Sequence, residues 1–378
     1  MSTHKIPCMI LRGGTSKGLF FLERDLPADA AARDAFLLRA MGSPDSRQIN
    51  GLGGATSVTS KVAIIAPSQR PDADVDYTFA QVSVDKPIVS YKGNCGNISS
   101  AVGPFAIEAG LVRAENGTTP VRIFNTNTGK VILAEICTEN GAVRYDGDYV
   151  IAGVPGSAAP VKLRFMNPAG TLGRGLLPTG NAVDTLDVPG LGKVDVSIVD
   201  ATNALVFVCA EDVGMDGGEL PAQIDADQAL LSRLETIRGL AAVKLGLVND
   251  YTRACWETPG IPKMTIVSAP HDYTASSGEM IKASQVDLVS RMMSMQKTHP
   301  TYAMTGAMCT AAAAVVPNCV VQRVLRANIN PQFIRIGHAG GIMDCGINYS
   351  ASENGVPTVA DTFGFRTANL LMEGFIRA

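Results

Sequence analysis

The chain lacks both an excess of positive charge and long apolar segments. Its 378 residues include 32 Lys and Arg against 35 Asp and Glu, which gives a formal net charge of −3. Nucleic-acid-binding domains usually carry a clustered basic surface, so we expect no nucleic-acid partner. No apolar run approaches the roughly 20 residues that cross a bilayer, and the first eight residues lack the apolar core of a signal peptide. We therefore expect no membrane partner and a cytoplasmic location.

Paired cysteines are also absent. The eight cysteines stand singly, and no Cys-x-x-Cys motif occurs. This pattern fits neither a disulfide framework nor a structural zinc site, and it is typical of a protein whose thiols stay reduced. Gly13 and Gly14 do not belong to a Gly-x-Gly-x-x-Gly motif that opens a helix. We therefore expect no metal and no other cofactor.

One cysteine stands at the predicted start of a helix. Cys95, in Asn94-Cys95-Gly96-Asn97, precedes small and apolar residues with helical spacing at 98–111. A helix N-terminus presents unpaired N–H groups and the positive end of the helix dipole, which favour a thiolate over a thiol of ordinary pKa about 8.5. The same N–H groups bind carboxylates. An isolated cysteine is more often a small buried hydrophobic residue, so the surrounding sequence must decide.

The two halves of the chain repeat one order of elements. The first half predicts two strands, a central apolar helix after Cys95 and a hairpin, and the second half predicts a strand, an Ala-rich helix from Thr305 and a strand pair. We assign these elements to residues 61–65, 77–84, 98–111, 120–124, 130–136, 263–267, a helix that opens at 305–311, 333–336 and 342–348. Helices this apolar are buried. We expect an α+β fold of two pseudo-symmetric lobes, each a mostly antiparallel sheet wrapped around its helix.

The predicted boundary between the lobes lies near residue 180, at Leu177-Pro178-Thr179-Gly180-Asn181. We expect an N-terminal lobe at 1–180 and a C-terminal lobe at 181–359, and residues 360–378 return as a strand or a helix to close the first lobe. Ligand sites favour domain interfaces. We therefore expect the active site in the cleft between the lobes, where two helix N-termini suit a di- or tricarboxylate.

Several motifs resemble one enzyme family. They lie at residues 9–18 (Met-Ile-Leu-Arg-Gly-Gly-Thr-Ser-Lys-Gly), 41–45, 47–49, 53–55, 59–63 (Thr-Ser-Lys-Val-Ala), 74–77, 79–82 and 94–97. On these residues the chain resembles the PrpF-type isomerases, which have the diaminopimelate-epimerase-like fold. The family includes methylaconitate isomerase, methylitaconate Δ-isomerase and 4-oxalomesaconate tautomerase, also called Δ-isomerase. The segment 41–45 is most similar to the 4-oxalomesaconate enzymes of aromatic-acid breakdown.

The resemblance implies a catalytic pair. A lysine at a strand edge usually extends into solvent, but the family associates the residues that match Lys61 and Cys95 with catalysis. The implied reaction is a 1,3-allylic proton shift, without a cofactor, in an unsaturated tricarboxylate. We expect 4-oxalomesaconate as the substrate, with 2-methylaconitate of the methylcitrate pathway as the alternative. Which of the two residues removes the proton stays open, as do the stereochemistry and a homo-oligomeric state.

The second half offers no matching thiol. If its helix start is laid over the first, Thr305 falls opposite Cys95, and a hydroxyl is too weak an acid to exchange protons readily. Cys309 lies about one turn inside that helix, where core packing is the expected role. A racemase with two opposed thiols is therefore disfavoured.

Other polar residues are expected to bind the substrate. Arg12 is placed to clamp a carboxylate, and Thr15 and Ser16 form a donor-rich turn. A lone histidine is more often structural, but His299 and His338 flank the second helix. The remaining expected binding residues are Ser60, Asn94, Gly96, Asn97, Lys263, Thr305 and Gly306.

Two other classes of protein stay open. One is a thiol hydrolase with Cys95 as its nucleophile, which requires a paired histidine and an oxyanion hole. The other is a non-catalytic accessory protein of a metabolic pathway.

Overall fold

The computed structural model describes residues 5–351 and 355–377. Residues 1–4, part of the segment considered above for a signal peptide, lie outside the described residues. The chain forms two compact units, the first at Met1–Arg164 with Phe365–Ala378 and the second at Phe165–Gly364. Within the described ranges, no helix is long and apolar enough to cross a membrane.

The first unit holds two helices and most of ten strands. Its helices are α1 (Ala30–Met41) and α2 (Gly96–Glu108). Its strands are β1 (Lys5–Gly13), β2 (Ser16–Leu22), β3 (Lys61–Pro67), β4 (Val75–Val82), β5 (Val89–Ser90), β6 (Gly117–Asn125), β7 (Lys130–Glu139), β8 (Ala142–Val143), β9 (Pro160–Met166) and the end of β20 (Thr358–Arg377). The last segment, which sequence left as helix or strand, is therefore a strand.

The second unit holds five helices and the remaining strands. Its helices are α3 (Pro221–Ala226), α4 (Gln228–Lys244), α5 (Ala254–Glu257), α6 (Met304–Ala314) and α7 (Val320–Val324). Its strands are β10 (Asp184–Val188), β11 (Gly192–Ala201), β12 (Asn203–Cys209), β13 (Lys263–Ser268), β14 (Tyr273–Thr274), β15 (Met280–Ile281), β16 (Leu288–Ser294), β17 (Lys297–Thr298), β18 (Phe333–His338), β19 (Gly341–Ser350) and the start of β20.

The two units share one order of strand pairing. In the first, β1–β2 is antiparallel, β2–β3 parallel, β3–β4 antiparallel, β4–β6 parallel and β6–β7 antiparallel. In the second, β11–β12, β12–β13, β13–β16, β16–β18 and β18–β19 follow the same sequence of orientations. The predicted internal repeat is thereby confirmed at the level of topology. Each sheet is mixed, because it contains two parallel pairs.

The central helices are buried, as their composition predicts. Every residue of α2 from Gly96 to Ile107 is buried, and so is every residue of α6. The other face of each sheet packs against an amphipathic helix. In the first unit Phe36 and Leu37 of α1 belong to the same core cluster as the even-numbered residues Val62 and Ile64 of β3. Successive strand residues point to opposite faces, so odd-numbered Lys61 lies on the face that α2 covers.

The segment after β9 belongs to the second unit. The first unit stops at Arg164 rather than near residue 180, and it resumes at Phe365 rather than at residue 360. Gly170 donates a backbone hydrogen bond of 2.9 Å to Asp200 of β11. The Asp200 carboxylate accepts hydrogen bonds from Thr171 Oγ1 at 2.5 Å and Leu172 N at 2.7 Å. These bonds attach the segment to β11.

The Gly13→Ala variant tests the contact between the β1–β2 turn and α2. A Cβ at Gly13 would lie 2.4 Å from the backbone oxygen of Asn97, and overpacking of this kind costs about 1–3 kcal/mol. We expect a clearly lower midpoint in thermal unfolding. Gly260→Ala is the control, because a Cβ there meets open space and should leave the midpoint unchanged. Equal midpoints for the two variants would contradict the predicted contact.

Candidate active site

Cys95 forms the N-cap of α2. Its dihedral angles are extended (φ −125°, ψ 94°), and the first hydrogen bond of the helix runs from Ser99 N to Cys95 O at 2.9 Å. The three preceding N–H groups, of Gly96, Asn97 and Ile98, consequently have no acceptor within the helix. The thiol is half-buried. The predicted cysteine at a helix start is confirmed.

The β1–β2 turn packs directly on this helix start. Gly14 has a left-handed φ of +52°, and a Cβ on it would lie 2.3 Å from Asn97 Oδ1. Asn97 Nδ2 donates to Thr15 Oγ1 at 3.1 Å, and Asn97 Oδ1 accepts from Arg366 Nε at 3.0 Å. One buried amide therefore joins the turn, the helix and β20. Glycine is required at Gly14 because neither its φ nor the space beside it suits another residue.

Arg12 is held mainly by backbone oxygens. Its Nη1 donates to Gly14 O, to Thr367 O and to Thr367 Oγ1, each at 3.0 Å. In the described part of the chain these are its hydrogen bonds, so Nη2 and Nε are not engaged in one. Partial burial lowers the pKa of the Arg12 guanidinium. The side chain stabilises the turn. Its Nη2 and Nε groups could still bind a carboxylate, so the predicted carboxylate clamp stays a prediction.

Lys61 is a buried cation with a neutral partner. It is 8% exposed, and its Nζ donates to Gln81 Oε1 at 2.7 Å. The ammonium also lies 5.1 Å from the centroid of the Phe79 ring, within the range of a cation–π contact. Among residues 5–351 and 355–377, Lys61 forms no ion pair with a carboxylate. Lys61 is thus a base or acid candidate that solvent does not fully hydrate.

Lys61 and Cys95 lie on the same side of the sheet. Lys61 of β3 is on the face that α2 covers, and α2 begins at Cys95. Gly18 of β2 pairs with Lys61, and a Cβ on Gly18 would lie 2.6 Å from Lys61 O and 3.3 Å from Ile98 Cδ1. The first turn of α2 therefore packs beside the first residue of β3. Gly18 thus adjoins both the first residue of β3 and the first turn of α2, the helix that Cys95 caps.

Tyr77 lies on the same face, behind the thiol. It is fully buried on β4, and burial raises the pKa of its hydroxyl well above the usual range. A negative charge on Cys95 adds to that rise in pKa, which places the phenol close to the thiol. Tyr77 therefore stays neutral, as a dipole rather than an acid.

Two of the predicted binding residues hold loops in place. Ser60 is fully buried; its Oγ donates to Val82 O at 2.9 Å and accepts from Gln48 Nε2 at 2.7 Å. Asn94 Oδ1 accepts from Asn125 Nδ2 at 3.3 Å, so Asn94 does not cap α2. The hydroxyl of Ser60 and the amide oxygen of Asn94 therefore bond to protein groups. Ser16 is also buried, with 3% of its surface exposed, and it is the first residue after the β1–β2 turn.

The second unit gathers the other predicted residues around α6. The N-cap of α6 is Ala303, and its first helical bond runs from Ala307 N to Ala303 O. By helix start, the counterpart of Cys95 is therefore Ala303 and not Thr305; the overlay made from sequence was wrong by two residues. Thr202 at the β11–β12 turn donates to Thr305 O at 2.7 Å, just as Thr15 meets Asn97 in the first unit. This match supports the corrected register.

Thr305 and Gly306 lie in the first turn of α6, as expected of helix-start donors. A Cβ on Gly306 would lie 2.1 Å from Met292 Cε, so the end of the Met292 side chain would have to move to admit a larger residue. Lys263 is the first residue of β13 and pairs with Leu205 of β12. Lys61 is likewise the first residue of β3. The repeat therefore places one lysine at the same position in each unit.

His299 and His338 are buried near each other. Nδ1 of His299 accepts from Thr301 N at 3.1 Å, and Nδ1 of His338 accepts from Gly340 N at 3.1 Å. Each ring, when neutral, therefore carries its proton on Nε2. A Cβ on Gly340 would lie 2.7 Å from Thr301 Cγ2 and 3.3 Å from His338 Cε1, so Thr301, which bonds to His299, also lies near His338.

Cys309 is a core residue. It is fully buried in α6, its thiol donates to Val199 O at 3.3 Å, and burial raises the pKa of the thiol well above its usual range. The predicted packing role is confirmed. The second unit accordingly has no thiol at the start of its central helix.

Sequence reasoning missed two residues of the first unit. Gln81 lies 20 positions from Lys61 and meets it only through strand pairing. Arg366 lies 269 positions from Asn97 and is 5% exposed. Gln81 stands within a family motif, 79–82, which was a usable signal. The sequence around Arg366 gave no comparable signal; it showed only a charged residue within a predicted strand or helix.

Known proteins similar to this chain are isomerases. Residues 3–378 match the family described as PrpF protein. The chain is 47% identical to the 3-methylitaconate isomerase of Eubacterium barkeri, over 98% of this chain and 97% of the relative. It is 42% identical to the 2-methyl-aconitate isomerase of Shewanella oneidensis (99% and 96% covered). It is 41% identical to the 4-oxalomesaconate tautomerase of Pseudomonas putida (100% and 97% covered).

Solved structures agree on the fold. The structure of a methylitaconate-delta-isomerase matches with a TM-score of 0.82 and 46% identity, over 100% of this chain and 96% of that chain. A probable proline racemase from Agrobacterium radiobacter K84 matches with a TM-score of 0.58 at 13% identity, over 99% and 92%. The second match shows the racemase and epimerase type of fold alone. The chain therefore belongs to the PrpF family and is an isomerase.

Proposed function

We propose that this isomerase moves a carbon–carbon double bond of an unsaturated di- or tricarboxylate by a 1,3-allylic proton shift. The observation that carries the proposal is the buried Lys61 ammonium, which has no carboxylate partner in the described chain, beside the start of the helix that Cys95 caps. A basic nitrogen and a thiol near one anion-binding helix end can exchange protons with an acidic carbon. The reaction needs no cofactor.

The proposed steps conserve atoms and electrons. One group of the pair removes a proton from a carbon that is flanked by a carboxylate-bearing centre and the double bond. The electron pair of that C–H bond delocalises into a dienolate. The other group then delivers a proton to the far end of the allyl system, and the double bond moves. Lys61 and Cys95 are the group that removes the proton and the group that delivers one. Atoms and electrons balance whichever of them acts first.

Negative charge develops on the substrate, so its stabilisation falls to donors and cations. The free N–H groups of Gly96, Asn97 and Ile98 are suited to that charge. Arg12, Thr15 and Ser16 supply further donors for a substrate carboxylate. We propose that a second set of groups binds another carboxylate: Lys263, His299, Thr305, Gly306 and His338.

The substrate is proposed from the relatives. 4-Oxalomesaconate, expected from the sequence, is the first substrate to test, and a role in aromatic-acid breakdown rests on it. 2-Methylaconitate and 3-methylitaconate are the other candidates, since relatives named for them are 42% and 47% identical to the chain. All three acids carry a C–H bond that lies next to a double bond and is activated by a neighbouring carbonyl or carboxylate group.

Each acid is to be incubated separately with the purified protein, with conversion followed by proton NMR. The proposal expects one acid to be isomerised far faster than the other two, with no added metal or cofactor. If none of the three acids is converted, a non-catalytic accessory role is favoured instead.

Lys61→Met and Cys95→Ser are expected to lower kcat by about 10²–10⁴-fold each, because each removes one proton-exchanging group. Initial rates on the converted acid provide the measurement, and thermal unfolding shows whether each variant is folded. A folded variant with full activity would remove its residue from the mechanism. An acyl intermediate from an activated ester, accumulating on Cys95→Ser, would instead support a hydrolase.

Cys309→Ala is the matched thiol control. It is expected to keep kcat within about threefold, because Cys309 contacts only the core, and to lower stability by about 1–2 kcal/mol through loss of buried volume. Rates and chemical denaturation measure the two effects. A large loss of kcat in a stable Cys309→Ala protein would show that the assignment of the working thiol is incorrect.

A further inference from the structure

We propose that Gln81 is a positioning residue that holds the Lys61 amine in place while its proton comes and goes. Gln81 faces Lys61 across the β3–β4 pair and accepts its 2.7 Å hydrogen bond. This inference rests on the proposed function, since it concerns how the reacting lysine is held.

The orientation of the Gln81 amide is fixed by its other bonds. Nε2 donates to Ser60 O at 2.8 Å and to Ser57 O at 3.1 Å. A flipped amide would place its NH₂ group against the lysine and its oxygen against two carbonyl oxygens, so that all three bonds would be lost. The oxygen of Gln81 is therefore fixed towards Lys61 Nζ.

The neutrality of Gln81 matters as much as its position. A carboxylate at the same distance would stabilise the ammonium form and oppose loss of its proton. An amide oxygen accepts a hydrogen bond from an ammonium and from a neutral amine alike, so the contact survives both states. The Phe79 ring adds apolar contact without a formal charge. The surroundings thus fix the nitrogen while leaving its proton exchangeable.

The internal repeat supplies a comparison. Lys263 stands in the second unit where Lys61 stands in the first. The β13–β16 register pairs Thr265 with Met292, so two residues further on Ser294 faces Lys263. A serine side chain is too short to reproduce the doubly anchored amide of Gln81. The residue that faces Lys263 therefore cannot hold it as Gln81 holds Lys61.

Two substitutions separate position from charge. Gln81→Met removes the acceptor at similar volume, and we expect kcat to fall about tenfold to a hundredfold, with KM changed less than about threefold. Gln81→Glu keeps an acceptor but adds a negative charge. We expect the limb of its kcat–pH profile that reports Lys61 to move upward by about one pH unit or more.

Gln48→Met is the structural control. Gln48 is also buried, and it also holds the loop before β3. It bonds to Ser60 Oγ at 2.7 Å and to Ala55 N at 2.8 Å, but it does not bind Lys61. We expect a lower thermal midpoint and an unchanged pH profile. A change that came only from loosening the loop would appear in Gln48→Met as well as in Gln81→Met.

The outcomes distinguish this inference from the proposed function. If the wild-type protein isomerises none of the acids, the proposed function fails. If the wild type is active and Lys61→Met is not, but folded Gln81→Glu and Gln81→Met keep the wild-type kcat and pH profile, the role of Gln81 is overturned. A shifted pH limb in Gln81→Glu, with none in Gln48→Met, supports it.

Discussion

The candidate site of the first unit is built around Lys61, a buried side chain that forms no ion pair with a carboxylate among the described residues. Moving an ammonium out of water is costly unless other groups replace its hydration. Here a fixed amide oxygen and an aromatic face replace part of it. The lysine is consequently held in position but is not neutralised. In the proposed mechanism, the thiol of Cys95, which forms the N-cap of α2, is the second proton-exchanging group.

The repeat explains why the pair is asymmetric. The two units have the same order of strand pairing, and each has its own buried central helix. In each, a hairpin turn contacts the second residue of that helix. In the first unit the helix is capped by Cys95, and in the second by Ala303. The residues that face the two matching lysines across the sheet also differ, since Gln81 faces Lys61 and Ser294 faces Lys263. The proposal assigns proton transfer to groups of the first unit.

The sequence predicted those features of the molecule that depend on residue type and local spacing. The apolar helix, the cysteine before it and the flanking strands follow from residue type and spacing, and the structure confirms them. The counterpart of Cys95 was placed two residues too late, because the N-cap residue Ala303 has no side chain that could mark a helix start. Gln81 and Arg366 act through strand pairing and through contact with a distant helix, and no local pattern reveals such partners.

The central claim is that two different groups handle the migrating proton, and deuterium uptake tests it most directly. The wild-type protein is to be incubated in D₂O with the acid that it converts, and the product analysed by NMR. The account predicts close to one deuterium per turnover at the carbon that gains the proton, and none elsewhere. A product formed at the full rate with no deuterium at that carbon would contradict it.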